Sequence, residues 1–139
     1  MPGRSETTLI MLDDNVDEIF LTRRQVRKDG IVNRFISEQD PENILQTISE
    51  LKSQGSANIL LLLDIAMPRV NGMEVLRKLR KNADFADITV IMLSASDDDA
   101  DINEAMRLGA NGYMVKPFKA ETFFAALKNV PAVKQCLVQ

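Results

Sequence analysis

A doubly wound α/β fold, five parallel strands covered by five helices, is what the sequence predicts. Short apolar runs alternate five times with stretches whose apolar residues recur at spacings of three and four. Three of those runs are almost wholly apolar, as strands buried on both faces must be. Glycine, proline and capping residues stand between the elements as start and stop signals.

The first run, Thr8 to Leu12, leads into a helix whose stripe Val16, Ile19 and Phe20 is expected to face the sheet. Asp17 and Glu18 open that helix and Arg27 and Lys28 close it, as its dipole favours, and Gly30 ends it. The second run, Val32 to Ser37, mixes Asn33 and Arg34 with Val32, Phe35 and Ile36, which reads as an edge strand with one side in water. Asp40-Pro41 then reads as a cap followed by proline at the first helical position, with Ile44, Leu45, Ile48 and Leu51 inward and Gly55 as the stop. Ile59 to Leu63 is the third run, followed by a helix carrying Val75, Leu76 and Leu79. Ile88 to Leu93 is the fourth, followed by a helix marked by Ile102, Ala105 and Met106 and ended by Gly109. Gly112 to Val115 is the last strand, and Phe123, Phe124 and Leu127 mark the last helix. The tail, Pro131 to Gln139, is expected to fray, although Val133, Leu137 and Val138 would let it extend the helix or pack on a partner.

With 139 residues, 45% of them hydrophobic, the chain is one domain's length and can bury a substantial core. Seventeen basic against 20 acidic residues leave a net charge of −3, which argues against a nucleic-acid partner. Histidine is absent, so Ser-His-Asp and Cys-His catalysis, histidine metal sites and an internal phosphohistidine are excluded. The single cysteine, Cys136, cannot form an intramolecular disulfide, which fits a reducing cytoplasm. No apolar run approaches the roughly 18 to 20 residues needed to span a bilayer, and the polar start is unlike a signal peptide. The expectation is a soluble cytoplasmic protein with no membrane partner.

In an open parallel sheet the ligand site lies beyond the carboxyl ends of the strands. There the sequence puts Asp13-Asp14 after the first strand, Asp64 after the third, Ser94 after the fourth and Lys116-Pro117 after the fifth. Clustered carboxylates attract a hard divalent cation, while a lysine and a hydroxyl can hold phosphate oxygens. The set points to magnesium-dependent phosphoryl transfer, with Asp64 on its rigid apolar strand as the nucleophile. Taken singly, Asp13 or Asp14 could cap the first helix, Asp64 could be a loop carboxylate, Ser94 a turn residue and Lys116 a solvated base. Their joint placement at one sheet edge favours the shared site.

At these residues the sequence resembles the receiver domain of two-component response regulators. The motifs are Leu12-Asp13-Asp14-Asn15, Leu63-Asp64-Ile65-Ala66-Met67-Pro68 through Gly72, Leu93-Ser94-Ala95, and Gly112-Tyr113-Met114-Val115-Lys116-Pro117-Phe118. The resemblance implies a flavodoxin-like sheet of order 2-1-3-4-5, which agrees with the second strand as an edge. It implies that Asp64 is the phosphoacceptor, that Asp13 and Asp14 hold Mg2+, and that the Ala66 backbone carbonyl completes the metal site. It further implies that Lys116 binds the phosphate, that Ser94 is the switch hydroxyl with Tyr113 as its aromatic partner, and that Lys116-Pro117 is cis. From strand position alone Tyr113 could equally be a half-buried packing residue with its hydroxyl in water.

By the same resemblance the partners are a sensor histidine kinase or phosphotransfer protein and a downstream protein target. The kinases in view include those of bacterial phytochromes, and a homodimer through the signalling face is open by analogy. Residues 5–130 would form the receiver and residues 131–139 a short tail, with no output domain, as in stand-alone receivers. The stretch from Asp14 to Asp64 is several residues longer than in the most compact receivers. Ala66 and Ser96 are small and uncharged, so neither offers a long side chain to orient an attacking water, and self-dephosphorylation would be set by water access. Two rival readings stand beside this one. A phosphatase of the haloacid-dehalogenase type would need a second acid where Ala66 stands, and an interaction domain that never phosphorylates would have no use for the intact acid, hydroxyl and lysine set.

Overall fold

The computed structural model describes residues 7–32, 34–56, 58–131, 133 and 137. Asn33, Cys136 and Val138 therefore lie outside the described residues. Five parallel strands, β1 (Thr7–Leu12), β2 (Arg34–Glu38), β3 (Asn58–Leu63), β4 (Thr89–Ser94) and β5 (Gly112–Val115), form one sheet of order β2-β1-β3-β4-β5. Between and after them run α1 (Val16–Asp29), α2 (Ile44–Ser53), α3 (Gly72–Lys81), α4 (Asp99–Arg107) and α5 (Ala120–Ala126). The expected class, strand order and edge position of β2 are thus present, with strand boundaries moved by one or two residues.

Side chains of the central strands alternate between two cores, as the strand period of two requires. Ile10, Leu12, Leu61, Leu63, Val90 and Met92 pack with Ile44, Ile48 and Leu51 of α2, Val75, Leu76 and Leu79 of α3, and Ala105 of α4. Leu9, Met11, Leu60, Leu62, Ile91 and Leu93 pack on the other face with Ile19 and Val26 of α1 and Phe123 of α5. Each fully buried Leu, Ile or Val contributes on the order of 1.5–3 kcal/mol, so both helical layers are held chiefly by these stripes.

The caps expected from the sequence form. Gly30 adopts the left-handed conformation at φ 59° and its N–H bonds back to the last turn of α1. Asp40 accepts from the Glu42 N–H, with Pro41 opening a single 3-10 turn (Pro41–Asn43) before α2. Arg80 closes the end of the sheet remote from the site. Its guanidinium donates to the carbonyls of Gly109, Ala86 and Ile88 and to Asn111 Oδ1, which also accepts from the Val90 N–H.

Three expectations are corrected. In α1 the buried residues are Ile19, Thr22 and Val26, while Val16 and Phe20 stand 62% and 61% exposed. Val16 and Phe20 share a helical face of their own, four residues apart, and sheet contact selects the face carrying Thr22 instead. In α4 only Ala105 is buried and Met106 faces outward. In the tail, Leu137 is 1% exposed and packs in the α1–α5 core, and Val133 is half-buried against that core, so these two residues are docked rather than frayed. No helix among the described residues is long and apolar enough to cross a membrane.

Candidate functional site

Sheet register brings the strand-end residues together. Leu12 pairs with Leu63, so Asp13 and Asp64 leave adjacent strands at the same level, and the Asp64 N–H donates to the Leu12 carbonyl at 3.1 Å. Ser94 pairs with Val115, and the Lys116 N–H donates to the Ser94 carbonyl at 2.8 Å. Backbone hydrogen bonds therefore continue past the strands and fix all four positions. The Lys116-Pro117 bond is cis, as expected.

The side chains converge at the edge so formed. Lys116 Nζ donates to Asp13 Oδ2 at 2.9 Å and stands 3.6 Å from Asp64 Oδ1, and its side chain is only 14% exposed. Carboxylate oxygens of Asp13, Asp14 and Asp64 all lie within 4.8 Å of one another. Asp13 and Asp64 are buried and Asp14 is exposed, so the cluster opens to solvent on one side. These groups line an open cleft of about 400 Å³ together with Asn15, Glu18, Ser94, Ser96 and Asp101.

The single-residue alternatives fare differently. Asn15 caps α1, accepting from the Asp17 and Glu18 N–H groups, which leaves Asp14 outside the capping role. Asp13 holds the Asn15 N–H on Oδ1, so it anchors the turn and faces Lys116 at once. Lys116 is a buried ion-pair partner and not a solvated base. Ser94 Oγ accepts from the Ser96 N–H at 3.2 Å, while the cap of α4 is Asp98. Tyr113 is half-buried and its hydroxyl donates to the Ser96 carbonyl at 2.8 Å instead of to water.

Burial pushes Asp64 up to about 6, aided by the charges of Asp13 and Asp14 and opposed by Lys116 and the Ala66 N–H. Burial alone would lower Lys116, but the hydrogen bond to Asp13 and the charges of Asp64, Asp13 and Glu18 outweigh it and raise it. The site therefore joins a carboxyl whose ionisation burial resists to a lysine whose charge its acid partners favour.

Two supporting roles emerge only in three dimensions. A Cβ on Gly72 would lie 2.0 Å from the Asp64 carbonyl oxygen, so only glycine lets α3 start against the backbone of Asp64. Asp101 reaches the cleft from the first turn of α4 and accepts from Ser96 Oγ at 2.6 Å. Nothing in the run Asp97-Asp98-Asp99-Ala100-Asp101 singles it out in sequence.

Residues 9–128 match the family model of the response regulator receiver domain. The chain belongs to that family. Among curated proteins this receiver domain is similar to the probable transcriptional regulator ycf27 of Cyanophora paradoxa, 35% identical over 115 residues, covering 82% of this chain and 45% of that protein. It is also similar to the osmosensing histidine protein kinase SLN1 of Saccharomyces cerevisiae, 26% identical over 118 residues, covering 84% of this chain and 10% of that protein. The receiver thus spans less than half the length of either. Among solved structures it is similar to the bacteriophytochrome response regulator RtBRR, with a TM-score of 0.74 at 27% identity over 91% of this chain and 78% of that one. It shares its fold with a two component response regulator from Cytophaga hutchinsonii, with a TM-score of 0.79 at 24% identity over 93% and 99% of the two chains.

Proposed function

We propose that this receiver accepts a phosphoryl group from the phosphohistidine of a kinase or phosphotransfer protein onto Asp64, and thereby switches a protein-interaction face in phosphorelay signalling. The observation that carries this reading is Asp64 itself: a buried carboxylate at the tip of a central strand, 3.6 Å from Lys116 and clustered with Asp13 and Asp14. In the transfer the donor P–N bond breaks as a P–O bond to an Asp64 Oδ forms, and the electron pair stays on the departing imidazole. The lack of any histidine in the chain makes an external donor necessary for this route.

The three converging carboxylates are all hard oxygen donors and fit a magnesium ion. Asp13, Asp14 and Asp64, with the Ala66 backbone carbonyl, would hold it, and when bound it neutralises charge on the phosphoryl oxygens. Lys116 would bind one phosphoryl oxygen. The Ser94 hydroxyl keeps its proton to offer to another, and in turning to do so it would leave the Ser96 N–H it now holds. Tyr113, tied to the Ser96 carbonyl, would then change its packing with that loop and report the event to the face formed by α4, β5 and α5.

The donor would dock on α1, where Val16, Phe20 and Leu21 are exposed on the helix that starts directly beside Asp13 and Asp14. In this reading residues 5–130 act as the receiver, in the cytoplasm, as a phosphoacceptor and not a turnover enzyme; the downstream target is a protein, and self-association through the signalling face stays open to test.

The test is intact mass after incubation with acetyl phosphate and magnesium. One phosphoryl adduct is expected on the wild type, none without magnesium and none on Asp64→Asn. An equal adduct on the variant would remove Asp64 as the acceptor, and continued turnover of a phosphate ester would favour a hydrolase.

A further inference from the structure

Ser96 stands two residues past the end of β4, and its own hydroxyl is too short to steer a water over Asp64. The fold brings it a longer acid. Ser96 Oγ donates to Asp101 Oδ2 at 2.6 Å and accepts from the Asp98 N–H at 3.2 Å, so its proton is committed to Asp101. Ser96 is itself held through its backbone, N–H on Ser94 Oγ and carbonyl under the Tyr113 hydroxyl. Those two backbone contacts are the ones the switch would release, whereas the Ser96 Oγ bonds to Asp101 and to the Asp98 N–H involve neither Ser94 nor Tyr113 and would keep the Asp101 carboxylate anchored once Asp64 is phosphorylated. Asp101 lines the same cleft as Asp64 and Lys116, and its Oδ1 has no partner among the described residues.

We propose that Asp101, positioned by Ser96, is a catalytic residue that orients the water hydrolysing the aspartyl phosphate and accepts its proton. This rests on the phosphoacceptor reading of Asp64 given above. In the step, the water oxygen forms a bond to phosphorus while the bond from phosphorus to Asp64 Oδ breaks, and the electron pair returns to the Asp64 carboxylate. One water proton is taken by Asp101 and passed to the released orthophosphate or to solvent. A carboxylate accepting a hydrogen bond from the attacking water raises its nucleophilicity and fixes its direction of approach. The lifetime of the modified state is then set by an acid from α4 and not by water access alone.

The experiment loads the protein with acetyl phosphate and magnesium, removes the acetyl phosphate by desalting into magnesium buffer, and follows loss of the adduct by intact mass. Asp101→Asn keeps an oxygen for Ser96 Oγ, so the loop anchor remains while the carboxylate charge is lost. The ratio of the decay rate to the loading rate is expected to fall about a hundredfold, at the low end of what a positioned proton acceptor supplies. Asp101→Glu should restore most of that ratio, and Ser96→Ala, which releases the anchor, should lower it. A purely structural role for Asp101 predicts no change in the ratio with Asp101→Asn, and that result would overturn the proposal. A wild type that loads no phosphoryl at all would overturn the phosphoacceptor reading together with this one.

Discussion

Asp64 carries its negative charge in a place that resists it. Its folded pKa of about 6 exceeds the ordinary 3.8 because burial and Asp13 outweigh Lys116 and the Ala66 N–H. Between those two values the folded state binds the proton more tightly than the unfolded chain, so this group's contribution to stability falls as pH rises from about 4 to 6. At roughly 1.36 kcal/mol per pH unit, the ionised group costs about 3 kcal/mol at neutral pH. Asp64→Asn is therefore expected to raise the unfolding free energy by about 2–3 kcal/mol at pH 7 without magnesium, with the gain fading towards pH 4. Urea unfolding across that range checks it, and a gain that persisted undiminished at pH 4 would contradict the burial argument. Gly72 makes a second test at this scale, since a methyl there meets the Asp64 carbonyl oxygen at 2.0 Å. Gly72→Ala should destabilise by about 1–3 kcal/mol, as overpacking does, and should also slow acetyl phosphate loading because the strain falls on the backbone of Asp64. Unchanged loading would show that α3 yields instead.

At the scale of elements, α1 is where sequence and structure part. Its buried residues are Ile19, Thr22 and Val26, and the exposed Phe20 and Leu21 lie towards solvent. A polar threonine on the inner face and large apolar residues on the outer face invert the hydrophobicity signal, so apolar periodicity alone selects the wrong stripe. That inversion is the support for a donor surface, because large apolar side chains gain nothing from water. Phe20→Ala should leave stability within about 0.5 kcal/mol, as surface changes do. It should lower the rate of transfer from any phosphohistidine protein that labels the wild type, while acetyl phosphate loading stays the same. Equal loss with both donors would place the effect in the site and not in docking. In α4 too the expected stripe holds only at Ala105, whereas β1, β3 and β4 are buried along almost their whole length and the capping signals at Asp40 and Gly30 form as read.

Across the whole molecule, both faces of one sheet must be covered, and Leu137 and Val133 take part in covering one of them. Leu137 is 1% exposed in the core shared by α1 and α5. Leu137→Ala is expected to destabilise by about 2–5 kcal/mol, the range for emptying a buried leucine site, measured by thermal or denaturant unfolding. A change below about 0.5 kcal/mol, the surface range, would return the tail to the frayed state that its sequence suggested. Val133 and Leu137 stand four apart, a spacing that allows helix extension or packing alike, and only the space left in the core that holds Phe123 and Leu127 decides where Leu137 goes.

The order of strands and helices and the delivery of Asp13, Asp14, Asp64, Ser94 and Lys116 to one edge are legible along the chain. These follow from local rules: apolar runs become buried strands, and residues just after parallel strands share one end of the sheet. Three-dimensional packing sets which face of α1 turns inward, that Asn15 and not Asp14 caps it, that Asp101 meets Ser96, and that burial raises the pKa of Asp64. Each of those depends on neighbours distant in sequence, on the dielectric they create and on the space they leave, and no spacing along the chain encodes them.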